Sequence, residues 1–487
     1  MTNPLSHRLN SRRVFPLLVF LVALVFRLLP VWLARDLGIG LDDMFQYDML
    51  ARSIVKGDGF RWYAQEDLNL IQPDLPVDLA STPGYDRRGI PTAFRPPLYP
   101  AFLALVYKVA GMGTGRFLAA RLTQAGLGAL LAPLTYFAAL GFFPDQVRAA
   151  RYAAWAVALY PILILFPLAL ATENLFFVLV LASAIMLLRA ERKPTWWNFF
   201  LAGLALGLSA LTRSVILLFA GLAVVWVWFV LREWRGALIL MATLALTISP
   251  WVTRNQSLFG RPTVELSMGY NLYMGYHPQS SGTFQYGISL DLMNTLDDSV
   301  RDSEGTSLAL QFIRDDPGRV PYLVLRKLGY FWGLERRGLT YFYSNDFFGY
   351  ISLPLLLGAV IFFLLPFVFL SASAAAGLAL VAWDRRAILL GLVVGAYLLP
   401  HVLLLGEDRF HLAIVPFLAI AAAQLWAAGW RSLPARWRES ECGRLAVALA
   451  CFAVLSLLLN WGLELYRDAD KLALLFGPHG NTTHFTY

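Results

Sequence analysis

A few ionisable residues in this sequence stand where charge is expensive to keep. Asp42 and Asp43 follow the first long apolar run, and Glu173, in Ala171-Thr172-Glu173-Asn174, lies between two later ones. Arg213 separates a further pair, and Glu407-Asp408-Arg409 precedes a late run. Ionisable groups at membrane depth are costly and by default mark function. Acids and arginines brought to one level suit an anionic substrate. Guanidinium groups hold phosphate or carboxylate oxygens through planar, charge-assisted bonds, and a carboxylate can take the proton of an attacking hydroxyl. Plainer readings stay open beside these. Paired aspartates can be a solvated helix cap, Arg213 a lipid anchor, and Arg409 part of a surface ion pair of little energetic value. Glu173 in a short turn can simply be solvated. Arg27 and Arg121, inside apolar runs, read as structural, Arg27 as the partner of an internal acid.

Other chemistries find less support. His277, in Gly275-Tyr276-His277-Pro278, is the one histidine to weigh as a metal ligand, but no second ligand follows at a recognisable spacing, which favours loop packing. Cys442 lies in a polar loop and Cys451 in an apolar run, so neither a disulfide framework nor a cysteine metal site is available. There is no GxxxxGK[ST] motif to hold a nucleotide. Asn481-Thr482-Thr483 matches an acceptor sequon, a pattern too short to carry weight.

The elements that must position these residues are membrane helices. Hydrophobic residues make up 58% of the 487 and charged ones 15%, against about 25% charged in soluble domains, and the mean hydropathy is +0.58. Runs long enough to cross the hydrocarbon core occur near Val14–Ala34, Gly115–Gly141, Val147–Phe166, Thr172–Leu188, Asn198–Thr212, Ser214–Leu231 and Gly236–Val252. Others follow at Tyr350–Trp383, Ala387–Leu405, Phe410–Trp430 and Leu445–Leu463, giving about eleven spans in an all-α polytopic membrane protein. The first run is too long for a signal peptide and is interrupted by Arg27.

Basic residues orient the chain. One set of short loops carries sixteen: Arg8, Arg12, Arg13, Arg148, Arg151, Arg189, Arg192, Lys193, Arg232, Arg235, Arg385, Arg386, Arg431, Arg436, Arg438 and Arg444. The opposite short loops hold two, Arg213 and Arg409. The amino terminus is therefore expected in the cytoplasm of a cell membrane. Two long polar intervals, Arg35 to about Gly113 and about Thr253 to Gly349, then lie outside with the acids and arginines. Amphipathic patterns at Asp43–Lys56, Pro97–Val109, Ser307–Asp315 and Val320–Leu334 predict interfacial helices within them. The +8 formal charge follows this loop bias and is no nucleic-acid footprint. The loops on the basic side are too short for a nucleotide-binding domain.

The same residues sit in motifs that resemble a known superfamily. Asp42-Asp43-Met44-Phe45-Gln46-Tyr47, continuing to Gly57-Asp58-Gly59-Phe60, resembles the first-loop signature of GT-C membrane glycosyltransferases, in the branch of protein O-mannosyltransferases and the lipid A aminoarabinose transferase. Phe94-Arg95-Pro96-Pro97-Leu98-Tyr99-Pro100 looks like that branch's second external motif, and Ala171-Thr172-Glu173-Asn174 like its second acidic turn. Leu211-Thr212-Arg213, Pro250-Trp251-Val252-Thr253-Arg254-Asn255, Asn271-Leu272-Tyr273-Met274-Gly275 and an arginine before a late span, like Arg409, are similar to segments of bacterial members. The likeness covers most of the chain in order. Two departures stand out. Many members have Asp-Glu where this chain has Asp42-Asp43 or Asp43-Met44, and the acid implicated in metal binding before the basic residue of the second motif is Phe94 here.

The resemblance implies one GT-C domain over residues 1–487, without the large external carboxyl-terminal domain of some relatives. It implies a donor sugar on polyprenyl or dolichyl phosphate, and a lipid, glycan or protein acceptor. Asp43, or else Asp42, would be the general base, with Glu173 orienting the acceptor or tuning the base. Arg95 would contact the donor phosphate, with Arg409 and Arg213 as further candidates. One base with direct displacement would invert the anomeric centre, and the departure at Phe94 argues against a bound divalent metal. The rivals are a transporter or flippase for a lipid-linked or anionic solute, and a GT-C-like glycan polymerase or ligase.

Overall fold

The computed structural model describes residues 4–40, 43–71, 79–81, 85–292, 295–336 and 351–477. Each of the eleven apolar runs is helical over most of its described residues. Among the described residues, eight helices are long and apolar enough to cross a membrane by length and composition: Val14–Leu33, Gly115–Phe142, Glu173–Arg192, Trp234–Phe259, Leu353–Leu378, Arg385–Leu403, Asp408–Ala428 and Glu441–Arg467. Val147–Ala158 and Pro161–Leu168 make a ninth only as a pair bent by 55°. The remaining two runs are the shorter helices Trp196–Thr212 and Ser214–Val230. At 17 residues the first of these is roughly 25 Å long, a little less than the hydrocarbon core. These two helices meet at Arg213.

Helices dominate because in hydrocarbon each backbone polar group must find its partner within its own segment. The bent pair shows what a break requires. Pro161 has no N–H to donate and its ring excludes a straight continuation, so the Val147–Ala158 helix ends with unsatisfied carbonyls. Arg27 supplies the donors: its guanidinium bonds the Ala158 oxygen (3.1 Å), the Val157 oxygen (3.3 Å) and Ala23 of its own helix (3.1 Å). Arg27 thus caps a broken helix, where an acidic partner was expected. Arg121 is structural in the same sense, bonding the carbonyls of Leu168, Leu37 and Gly38.

Small residues let the helices close up. A Cβ added at Gly377 would lie 2.0 Å from the Ala421 oxygen, so Leu353–Leu378 and Val415–Ala428 touch backbone to backbone there. Gly203 serves Trp196–Thr212 in the same way, with a Cβ falling 2.5 Å from the Leu240 oxygen of Trp234–Phe259. Leu17, Leu21, Val25 and Leu29 of the first helix stay exposed, as a lipid-facing stripe requires.

The polar intervals fold against one end of this bundle. Asp43–Lys56 is the helix expected, and Pro97–Val109 corresponds to Leu98–Ala110. Between them, Arg61 pairs with Pro91 and Trp62 with Ile90 in a short antiparallel ladder. The second interval starts later than expected, because Trp234–Phe259 runs on until Gly260 stops it with φ of 67°. Ser307–Asp315 is part of a longer helix, Asp298–Asp315, which starts where the Asp297 carboxylate accepts from the Ser299 and Val300 amides. Val320–Leu334 is the helix Arg319–Phe331. The two intervals join where the Leu266 amide donates to the Ala93 oxygen at 2.8 Å.

Candidate active site

Asp43 is the first residue of its helix, so its carboxylate sits beside the unbonded amides and positive end of the helix dipole. One oxygen pairs with the Arg95 guanidinium and the other with Arg409, at 3.2 Å. Arg95 lies in an irregular stretch between the short ladder and Leu98–Ala110, whose start is prepared by Pro96 and Pro97. Its guanidinium is held by the Gln46 side-chain oxygen (3.0 Å from Nε) and stands 5.3 Å and 5.2 Å from the Tyr47 and Phe94 ring centres. Tyr47 packs edge-on against Tyr99, at 5.1 Å.

Arg409 comes from the opposite part of the chain, in the tight turn Asp408–Ile414 that leads into Val415–Ala428. Its Nε bonds Glu407 at 2.8 Å and its amide bonds Asp408 at 2.9 Å, so the local ion pair and the contact with Asp43 coexist. Glu173 opens the Glu173–Arg192 helix. It pairs with Arg213 at 2.5 Å, and its second oxygen accepts from Thr172 at 3.0 Å. Arg213 stands 5.4 Å from the Phe410 ring, beside Arg409 in sequence. Of the six residues given site roles from the sequence, five, Asp43, Glu173, Arg95, Arg213 and Arg409, therefore come together, joined by Glu407. Asp42 lies outside the described residues.

Accessibility separates the members. The Glu173 and Glu407 side chains are 6% and 2% exposed, sealed behind their arginines, whereas Asp43 is 33% and Arg409 39% exposed. Asp43, Arg95 and Arg409 are partly open to solvent, and Glu173 lies behind Arg213. Burial alone would raise the Asp43 carboxyl, but Arg95, then Arg409, outweigh it and hold the group well below the usual carboxylate range, with a smaller pull from Arg213. Three carboxylates, Asp43, Glu173 and Glu407, face three guanidiniums, Arg95, Arg213 and Arg409. An anion arriving here would compete with Asp43 for Arg95 and Arg409.

His277 is not part of it. Its Nδ1 accepts from the Gln279 amide at 3.2 Å and its ring lies between Tyr273 and Phe312. Among the described residues no group of three or more His, Cys, Asp or Glu could hold a metal ion. Carboxylates already engaged by arginines are a poor donor set for a divalent cation, and no chemical step is assigned to one. Sequence reading missed Gln46 as a ligand of Arg95, although it lies three residues after Asp43 and so on the same helix face.

No protein-family model matches the sequence, and no curated protein does. Solved structures do. The chain superposes on an Archaeoglobus fulgidus oligosaccharyltransferase, crystallised with a tethered acceptor peptide containing the NVT sequon, with a TM-score of 0.50 at 16% identity, covering 97% of this chain and 59% of that one. This chain thus spans about three-fifths of that protein. ArnT from Cupriavidus metallidurans bound to undecaprenyl phosphate matches at a TM-score of 0.40 and 15% identity, over 97% of this chain and 73% of that one. At this identity the likeness is one of fold, shared with that oligosaccharyltransferase over nearly the whole of this chain.

Proposed function

We propose that this GT-C-fold membrane protein is a glycosyltransferase that moves a sugar from a polyprenyl or dolichyl phosphate to a hydroxyl of a lipid, glycan or protein acceptor. The observation that carries the reading is the Asp43 carboxylate, accessible and shared between two arginines. A lipid-linked donor reaches a site at the membrane edge from the bilayer itself, so the chain needs no nucleotide-sugar domain. Residues 1–487 would act as one catalytic unit, needing no nucleic acid.

In the reaction the acceptor oxygen bonds the anomeric carbon as the bond from that carbon to the phosphate oxygen breaks. The electron pair leaves with the phosphate, which gains a charge. Arg95 and Arg409 answer that charge where it develops, and Asp43 takes the acceptor proton. Direct displacement inverts the anomeric centre. Glu173 keeps Arg213 oriented and so shapes the field around Asp43. Because Asp43 and the phosphate compete for the same guanidiniums, donor binding loosens Asp43 from them and makes it a stronger base.

That competition has a pH signature. A base works only when ionised, so its rate constant falls as pH drops through its pKa. In the free enzyme the arginines hold Asp43 low, and the acid limb of kcat/KM is expected below about 4, the ordinary carboxylate value. With donor bound the carboxyl rises, and the acid limb of kcat is expected at higher pH. Coincident limbs would contradict the competition.

The reading also requires the site to lie outside the cytoplasm, with the amino terminus on the cytoplasmic side of a cell membrane. The charge bias in the short loops supports this. Reporters at Asp58 and in the interval around Gly282 are expected to be reached from outside and one near Arg192 from the cytoplasm. Labelling of Asp58 and Arg192 from one side would remove the orientation. A screen of polyprenyl-phosphate sugars, read by mass spectrometry of the product, tests the function itself. New glycoside from one donor is expected, and none from any donor would overturn the reading.

A further inference from the structure

Arg95 does not hold itself in place. The segment before it, Thr92 to Phe94, belongs to no helix or strand, so its course is set by what it bonds. Asp298, fully buried at the start of Asp298–Asp315, reaches it from the second polar interval. One carboxylate oxygen accepts from the Thr92 hydroxyl and from the Ala93 amide, each at 2.6 Å, while the other pairs with Arg301. The Thr92 hydroxyl oxygen in turn accepts from the Phe94 amide at 3.0 Å. The Arg301 guanidinium stands 5.0 Å from the Phe94 ring, the ring that Arg95 also approaches. Arg254 adds a bond to the Thr92 oxygen at 2.8 Å. The Ala93 amide is thus held by Asp298 directly, the Phe94 amide through Thr92, and the Phe94 ring stands beside Arg301 of the other interval.

A buried carboxylate is expensive unless both oxygens are satisfied. Those of Asp298 are satisfied by the Arg95-bearing segment on one side and Arg301 on the other. Asparagine cannot replace it. With its oxygen turned to Thr92 and Ala93, its amide hydrogens face the Arg301 donors, and the reverse orientation releases the segment.

We propose that Asp298 is a positioning residue for the donor phosphate: it fixes the segment carrying Arg95, so that phosphate recognition in the first interval depends on docking of the second. This rests on the role given to Arg95 above. Arg301 pairs with Asp298 and aims it, and Thr92 relays the bond to the Phe94 amide. The inference concerns affinity for the donor phosphate and leaves acceptor contacts untouched.

The test is binding of undecaprenyl phosphate, without sugar, to the full chain in lipid nanodiscs. Asp298→Asn is expected to weaken it about tenfold, from loss of a charged hydrogen bond, and Thr92→Val about threefold. Thr92→Ser, which keeps the hydroxyl, should bind like the wild type. In an Arg95→Ala background, Asp298→Asn should weaken binding no further, because a residue acting through Arg95 has nothing left to act on. With turnover, the KM for donor should rise while the KM for acceptor stays unchanged. Wild-type affinity in folded Asp298→Asn and Thr92→Val would overturn the proposal, as would an equal loss from Asp298→Asn with and without Arg95. If Asp298→Asn does not fold, Thr92→Val against Thr92→Ser decides. Equal binding by the wild type and Arg95→Ala would instead overturn the phosphate reading of Arg95 and this proposal with it. Loss in Arg95→Ala with no change in the Asp298 and Thr92 variants would overturn this proposal alone.

Discussion

Asp43→Asn is expected to cut turnover by at least ~10²-fold, the usual worth of a positioned base. Asparagine keeps the shape and one acceptor oxygen at the start of the Asp43–Lys56 helix, so folding should survive. It cannot accept a proton as a carboxylate does at neutral pH. The geometry adds a second expectation. Both Asp43 oxygens hold guanidiniums that a phosphate would need. Removing the negative charge frees Arg95 and Arg409, and sugar-free polyprenyl phosphate should bind the variant at least as well as the wild type. Slow turnover with undiminished donor binding separates a base from a binding residue. Asp42→Asn is expected to do less, and the opposite ranking would move the base by one position. Full activity in the double variant would leave the pair as a helix cap.

Arg95→Ala carries the next largest effect. It removes a guanidinium held by Gln46 near the Tyr47 and Phe94 rings, and with it the charge proposed to meet the donor phosphate. Loss of charged hydrogen bonds of this kind corresponds to roughly 10- to 100-fold in affinity. Lysine restores the charge but not the planar fork, so Arg95→Lys should recover only part of the loss. Arg436→Ala is the control: Arg436 pairs with Glu439 in a separate helix, away from the site. Binding of polyprenyl phosphate in matched detergent checks all three. Equal affinity in the wild type and Arg95→Ala would count against the role.

How much of this was legible in the sequence depended on how each residue announces itself. Asp43, Glu173, Arg213 and Arg409 stand out because ionisable residues at the ends of apolar runs are few, and their gathering at one level follows from alternating spans. Which carboxylate takes which arginine was not legible, since that depends on how helices cross. Glu173 takes Arg213, while Asp43 draws Arg95 from its own interval and Arg409 from far along the chain. An arginine inside an apolar run, such as Arg27, points to a buried acid, yet the break at Pro161 supplies bare carbonyls that satisfy it as well. Asp298 gave no local signal at all. It lies 206 positions from Thr92, and only the docking of the two intervals makes it relevant. The eleven apolar runs were legible as helices, but Trp196–Thr212 and Ser214–Val230 fall short because the chain turns at Arg213.

Glycosyl transfer and solute movement are separated most directly by one assay. Purified protein is reconstituted in liposomes with a radiolabelled polyprenyl-phosphate sugar, and a membrane extract supplies the acceptor. A glycosyltransferase gives label on a new glycoside, sugar-free polyprenyl phosphate in equal amount, and loss of both with Asp43→Asn. Movement of intact donor between leaflets with no new glycoside would contradict the account and identify a transporter.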